Sequence, residues 1–178
     1  MQSLVKIRVA KPEDASQINE VLYQTWLATY PNQEVGITRE DIEERFKDRQ
    51  SEEKLEKRRN EITNDTIATL LVAVKNGKIV GLCRIERLPD KNRLRTIYVL
   101  PEYQSKGIGT MMWEEIQKYT DAKKDITVEV ATYNKKAIAF YEKLGFQDTG
   151  KRFKDERFYM KSKNTIPEIE MILKVSNE

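Results

Sequence analysis

The dipeptide Asn76-Gly77 separates two runs dense in β-branched and apolar residues, Ile67 to Val74 and Ile79 to Leu88. A two-residue hairpin turn of the primed type needs positive φ at both central positions, which Asn tolerates and Gly adopts without steric cost. The pair therefore predicts a tight antiparallel hairpin in the middle of the chain. The flanking segments are read as elements packed around it.

Before the hairpin, Leu4 to Val9 alternates apolar and polar as a strand does, with Val5, Ile7 and Val9 on one side. Pro12-Glu13-Asp14 reads as a turn with acidic residues at a helix start, and Ile18, Val21, Leu22, Thr25 and Trp26 recur at helical spacing before Pro31. Thr38-Arg39-Glu40-Asp41 has the form of a capping arrangement ahead of Ile42 and Phe46, which predicts a short second helix. The charged stretch Ser51 to Ile62 predicts a solvated third helix after a break near Gln50.

After the hairpin, Pro89 to Asn92 reads as a turn and Arg93 to Val99 as a strand. A glycine-containing turn leads into a helix from Gly107 to about Tyr119, followed by a strand from Ile126 to Val130. Lys135 to Leu144 reads as a helix with Gly145 as its left-handed cap, Phe146 as a strand start, and Phe158 to Val175 as one or two strands around Asn164 to Pro167. This order places the chain in the α/β (α+β) class, a mixed sheet with helices on both faces.

At 178 residues, with no repeat, low-complexity stretch or dividing linker, one domain spanning residues 1–178 is expected. No apolar run is long enough to span a bilayer, and the N-terminus lacks the order of a signal peptide, so a cytoplasmic protein without membrane contact is expected. The single Cys83 agrees, because a lone thiol forms no internal disulfide, and its place in an apolar strand argues against a nucleophile. The chain has no histidine, which removes Ser-His-Asp and Cys-His catalysis, histidine-ligated zinc and the usual general base near neutral pH. No metal is expected. Basic stretches at Lys54 to Arg59 and Lys151 to Lys163 are interrupted by Glu56, Asp155 and Glu156, so they read as solvated faces rather than a nucleic-acid surface.

Two constellations carry chemistry. In the first, Ile97-Tyr98-Val99 precedes Gln104-Ser105-Lys106-Gly107-Ile108-Gly109-Thr110 and a helix. Glycines let backbone approach a ligand, and the uncompensated N–H groups of a first helical turn suit a pyrophosphate, although a plain glycine turn opening a helix has the same form. The spacing is neither that of a Walker loop nor that of a Rossmann fingerprint. In the second, Asn134 caps a helix on which Ala137 and Tyr141 share one face, followed by Phe140, Gly145 and Phe146; ordinary helix packing would also account for it.

Taken together and in this order, the two resemble the GCN5-related N-acetyltransferase (GNAT) superfamily. Gln104, Gly107 and Gly109 match its pyrophosphate motif, and Asn134, Ala137, Phe140-Tyr141 and Gly145-Phe146 match its downstream pattern. The resemblance implies a mostly antiparallel sheet flanked by helices, with a splayed central strand pair, and acetyl-CoA as co-substrate. It implies backbone contacts from Ile97, Tyr98 and Val99 to the pantetheine arm, a pyrophosphate cradle at Gln104, Ser105, Lys106, Gly107, Ile108, Gly109 and Thr110, and further contacts from Asn134, Ala137 and Tyr141.

It also implies direct attack by a neutral amine on the thioester, with Tyr141 as general acid. Glu86, on the hairpin's second strand, and Glu129, on the strand beside the cleft, are the candidates for the general base, directly or through water, against plain solvent-facing strand carboxylates. The segment Trp26 to Ile62 would shape the acceptor site, with Trp26, Thr29 and Tyr30 as lining candidates against ordinary core packing. The pattern from Trp26 to Tyr30 and at Ile166-Pro167-Glu168 resembles bacterial and archaeal members that acetylate polyamines, so a small-molecule amine is the expected acceptor. A protein α-amine or lysine, or a non-catalytic acyl-CoA sensor, remain open alternatives. Members of the family often dimerise, so the resemblance extends to a homodimer.

Overall fold

A computed structural model describes residues 4–156 and 159–175, so Phe158, where the expected tail begins, lies outside the described residues. Seven strands form one sheet in the order β1-β2-β3-β4-β5-β7-β6. They are β1 (Lys6–Val9), β2 (Ala68–Lys75), β3 (Lys78–Arg87), β4 (Asn92–Val99), β5 (Ile126–Ala131), β6 (Gln147–Lys154) and β7 (Pro167–Leu173). Among the described residues five α-helices accompany them: α1 (Ala15–Thr29), α2 (Arg39–Arg45), α3 (Glu52–Asn64), α4 (Ile108–Ile116) and α5 (Lys135–Lys143). All strand pairs are antiparallel except β4 with β5. The class is the mixed, mostly antiparallel sheet with helices that the sequence implied.

The hairpin forms as its dipeptide dictates: Asn76 and Gly77 take φ of 51° and 75°, and β2 pairs with β3 up to Lys75 opposite Lys78. Both faces of these strands are covered. Leu71, Ala73 and Cys83 join a core with Ile108, Met112 and Ile116 of α4, while the alternate residues Val72 and Leu82 join a second core with Ile18 and Val21 of α1. The period of two thus divides the helices between the faces. Burying Ile18 and Val21 contributes roughly 1.5–3 kcal/mol each to docking α1. Cys83 is fully buried, and burial pushes its thiol pKa well up, so it is no nucleophile.

A third core, built around Trp26, Ile37, Ile42, Ala131, Met160 and Ile166, closes one end of the α1 face. The capping box at Thr38 starts α2, and its second member does more than cap: the buried Asp41 carboxylate accepts from Thr38 N (2.9 Å), Ser162 N (2.7 Å) and Ser162 Oγ (2.8 Å). Burial raises the Asp41 pKa, but these hydrogen bonds outweigh it and leave the group below the usual carboxylate range. The loop before β7 is thereby tied to α2. The break near Gln50 is present, and α3 follows with no buried residue, anchored where Arg58 Nε donates to Asn19 Oδ1 (2.9 Å). Among the described residues, no helix is long and apolar enough to cross a membrane.

β7 inserts between β5 and β6, pairing with β5 from Ile126↔Leu173 to Ala131↔Glu168. The tail thus contributes one strand, starting at Pro167.

Candidate active site

The sheet opens at its one parallel junction. β4 and β5 pair at Asn92↔Ile126, Arg93↔Thr127 and Leu94↔Val128 and then part. The cause lies on the other side of β4: β3 pairs Ile85 with Leu94 and Arg84 with Thr96, so Arg95 is an extra residue, a β-bulge. A bulge bends its strand and sharpens the local twist, and this one sits where β4 leaves β5. The inner edges of residues 95–99 and 129–131 therefore lack a strand partner across the gap.

The gap is part of a cleft of about 950 Å³. Its walls are the parted strands, the turn from Gln104 to Thr110, one face of α5, and the end of α1 from Thr25 to Tyr30. At the end of the cleft beside α4, Ser105 (φ 60°) and Gly107 (φ 79°) hold left-handed conformations that turn the backbone into the helix. No side chain caps α4, so the N–H groups of Ile108, Gly109 and Thr110 carry the positive end of the helix dipole uncompensated. Gln104 bridges the mouth: its Nε2 donates to Val99 O (2.9 Å), and its Oε1 accepts from Lys136 Nζ of α5 (2.6 Å). Asn134 caps α5 by accepting from Ala137 N (3.1 Å).

Exposed strand edges for an amide-bearing arm, at the head of an uncapped helix for a pyrophosphate, form a sound receptacle for coenzyme A, and the volume lies in the range of ligand clefts.

Four tyrosines meet the inner cleft. The Tyr141 ring packs edge-on between Phe140 (5.4 Å) and Phe146 (5.6 Å), and burial pushes its phenol pKa far up. The phenols of Tyr30 and Tyr98 lie 2.7 Å apart in a shared hydrogen bond, and the Tyr133 phenol donates to Tyr30 O (2.8 Å). Burial raises all three, with Tyr133 pushed up to about 12 by burial and by the nearby Glu168 carboxylate. Every phenol is therefore a neutral donor at physiological pH.

The charged groups sit where the strands part. Glu129 lines the cleft, 3.9 Å from Arg93 and 3.7 Å from Arg95. One oxygen from each of Glu129, Asp155 and Glu168 lies within 4.8 Å of the others.

Most residues singled out in the sequence meet at this cleft: Tyr30, Ile97, Tyr98, Val99, Gln104, Ser105, Gly107, Ile108, Gly109, Thr110, Glu129, Asn134, Ala137 and Tyr141. Glu86, Trp26 and Lys106 are not on its wall. Glu86 is buried and held by Arg93 at 3.1 Å, Arg84 at 3.6 Å and Arg95 at 3.8 Å. Trp26 stands behind Tyr30, 4.7 Å away, in the third core, packed against Phe46 with the Arg45 guanidinium over its ring and hydrogen-bonded to the Tyr98 phenol. Lys106 Nζ donates to Glu102 O beside the Tyr103 ring. Sequence reasoning missed Arg95, Tyr133 and the phenol of Tyr98, since only strand pairing and tertiary packing bring them to the cleft.

Comparison with known proteins agrees with this geometry. The profile of the Acetyltransferase (GNAT) family matches residues 23–146. A spermidine N(1)-acetyltransferase from Thermoplasma acidophilum is 28% identical over 149 residues, 80% of this chain and 88% of that protein. The N-alpha-acetyltransferase RimI of Mycobacterium tuberculosis is 35% identical over 91 residues, 49% of this chain and 55% of its own length. Among solved structures, the PaiA N-acetyltransferase of Thermoplasma acidophilum in complex with coenzyme A superposes with a TM-score of 0.71 at 26% identity, covering 93% of this chain and 98% of that one. The chain belongs to the GNAT family of N-acetyltransferases, whose acetyl donor is acetyl-CoA.

Proposed function

We propose that the acceptor is the primary amine of a small polyamine, with Glu129 taking the amine's proton and Tyr141 serving the departing thiolate. The observation that carries this reading is the carboxylate set Glu129, Asp155 and Glu168, one oxygen of each within 4.8 Å of the others, through which Glu129 brings negative charge to the cleft wall. A polyamine is a flexible polycation, and clustered carboxylates with part-buried phenols beside them suit an ammonium group. Similarity to a spermidine acetyltransferase over most of both chains supports the same class.

An alkylamine has a pKa of about 10, so it must lose a proton before it can attack. Glu129 lines the cleft and is the carboxylate available to accept that proton, directly or through a water; Glu86, off the cleft wall, holds Arg93 at the shorter distance of 3.1 Å, against 3.9 Å for Glu129. Bound acetyl-CoA supplies a thioester whose carbonyl carbon takes the nitrogen while the sulfur leaves. The neutral phenol of Tyr141 then donates to the thiolate.

Relatives that acetylate protein α-amines favour a second reading, although they match only about half of this chain. The two separate in one assay: acetyl-CoA with spermidine, spermine, diamines and N-terminal peptides, followed by thiol release. Turnover with polyamines at kcat/KM at least about tenfold above any peptide is expected. The reverse order overturns the polyamine assignment.

A further inference from the structure

We infer that Glu86 is a positioning residue for acetyl transfer: by holding Arg93 and Arg95, it keeps both guanidiniums from closing on Glu129 and so sets how readily Glu129 accepts the amine's proton. The inference rests on Glu129 as the general base. Each arginine lies between the two carboxylates and divides its nitrogens between them. Arg93 Nε donates to Glu86 Oε2 (3.1 Å) and its Nη2 lies 3.1 Å from the same oxygen, while Nη1 stands 3.9 Å from Glu129. Arg95 turns Nε to Glu86 at 3.8 Å and Nη1 to Glu129 at 3.7 Å. Neither contact with Glu129 is short enough for a hydrogen bond, so these guanidiniums leave its lone pairs open to a proton.

The backbone imposes this arrangement. Glu86 lies opposite Arg93, and Arg93 lies opposite Thr127, two residues before Glu129 on the same face of β5. Arg95 joins them as the extra residue of the bulge. Arg84, 3.6 Å from Glu86, is committed to Asp65 at 2.7 Å. The charges of Glu86, Glu129, Arg93 and Arg95 therefore cancel. The further charged groups facing Glu129 are carboxylates: Glu168 and Asp155, with Arg45 of α2 acting on Asp155, and Glu170, directly across on β7 and paired with Lys91 (3.5 Å) and Lys151 (3.0 Å). The phenols of Tyr30, Tyr98, Tyr133 and Tyr141 along the cleft are neutral. Without Glu86 the quartet carries one excess positive charge, and both guanidiniums turn to Glu129. A cation drawn close favours the ionised carboxylate by about one to three pK units, and its hydrogen bonds occupy the lone pairs a proton needs. Glu129 then takes the amine's proton less readily.

The experiment follows kcat against pH at saturating acetyl-CoA and spermidine, or the best peptide if the assay above reverses. It compares the wild type with Glu86→Gln, Arg95→Gln, Glu86→Gln/Arg95→Gln and Glu129→Gln. The wild-type kcat should fall toward acid as the base becomes protonated. Glu86→Gln should move that limb to lower pH by about one unit or more and lower the plateau about tenfold. Arg95→Gln takes a cation from Glu129 and should move the limb to higher pH. The double variant, with its charges again cancelling, should return close to wild type; its limb should lie below that of Arg95→Gln, a second reading of Glu86 if the single variant folds poorly. Acetyl-CoA affinity, expected to be unchanged across the set, reports folding. A merely structural Glu86 would lower stability without moving the limb, and removing Arg95 as well would restore nothing. An unmoved limb in Glu86→Gln, or a double variant no different from Arg95→Gln, overturns the positioning role and leaves Glu129 as the base. A limb that persists in Glu129→Gln overturns both.

Discussion

Replacing Tyr141 by Phe removes one oxygen from the cleft and little else. The ring is 6% exposed and held edge-on between Phe140 and Phe146, contacts that Phe reproduces, so stability should change by less than about 1.5 kcal/mol. The catalytic cost follows from the state of the phenol. Burial raises its pKa far above that of a free thiol, about 8.5, so full proton transfer to the leaving sulfur is uphill. Tyr141 therefore acts mainly as a hydrogen-bond donor to charge developing on sulfur, comparable to a single oxyanion donor. Such a donor is worth about 10²–10³ in kcat, or roughly 3–4 kcal/mol.

The assay is release of free CoA thiol under saturating acetyl-CoA, with donor affinity measured separately and expected to be unchanged. Because burial keeps the phenol protonated, the wild-type kcat should show no decline assignable to Tyr141 up to about pH 10. A variant kcat within about threefold of wild type refutes the role. So does a basic limb near pH 9 that vanishes in the variant.

Asp41→Ala strands Thr38 N and the Ser162 donors and removes a helix cap, so a loss of about 3–5 kcal/mol in urea denaturation at pH 7 is expected. Because the folded Asp41 pKa is lowered, that contribution is present above the unfolded value of about 3.9 and disappears as pH falls through the folded value, so wild type and variant should converge in acid. Gly107→Ala meets no atom within 4 Å, so its cost is backbone strain at φ 79°, about 1–2 kcal/mol by thermal unfolding, with a raised KM for acetyl-CoA as the turn shifts. Glu86→Gln removes the buried, closer carboxylate of Arg93, Arg84 and Arg95 and should cost about 2–4 kcal/mol of stability, whereas Glu129→Gln, whose contacts with Arg93 and Arg95 are longer, should lower kcat by about tenfold or more while changing stability by under about 1 kcal/mol.

Where one local rule decides the backbone, the sequence was readable. Asn76-Gly77 forced the hairpin, Thr38 and Asp41 started α2, and Gly145 takes the left-handed cap at φ 94° that ends α5. The motif residues reached the cleft because turn and helix geometry fix where consecutive residues lie. The bulge at Arg95 left no comparable trace: no Gly or Pro marks it, and it arises only from the register of β3 against β4. Glu86 and Glu129 looked alike as strand carboxylates, and Arg93 and Arg95 touch both; what separates them is that Glu86 is buried off the cleft wall while Glu129 lines it. Trp26 and Tyr30 lie four apart on one helix, yet the aromatic cluster with Phe46 holds the first in the core and leaves the second at the cleft.

The insertion of β7 between β5 and β6 has a consequence for the nascent chain. At roughly 5–20 residues per second, several seconds separate synthesis of the hairpin from that of Pro167–Leu173. Until β7 is made, Glu129 to Ala131 has no neighbour on either side: β4 has already parted from it, and the other edge awaits Glu168 to Glu170. The meander β2-β3-β4 can assemble on the ribosome from contacts near in sequence. The second wall of the cleft, β5, gains its strand partner only once β7 is made, so the site for the acetyl donor is completed after the meander that forms its first wall.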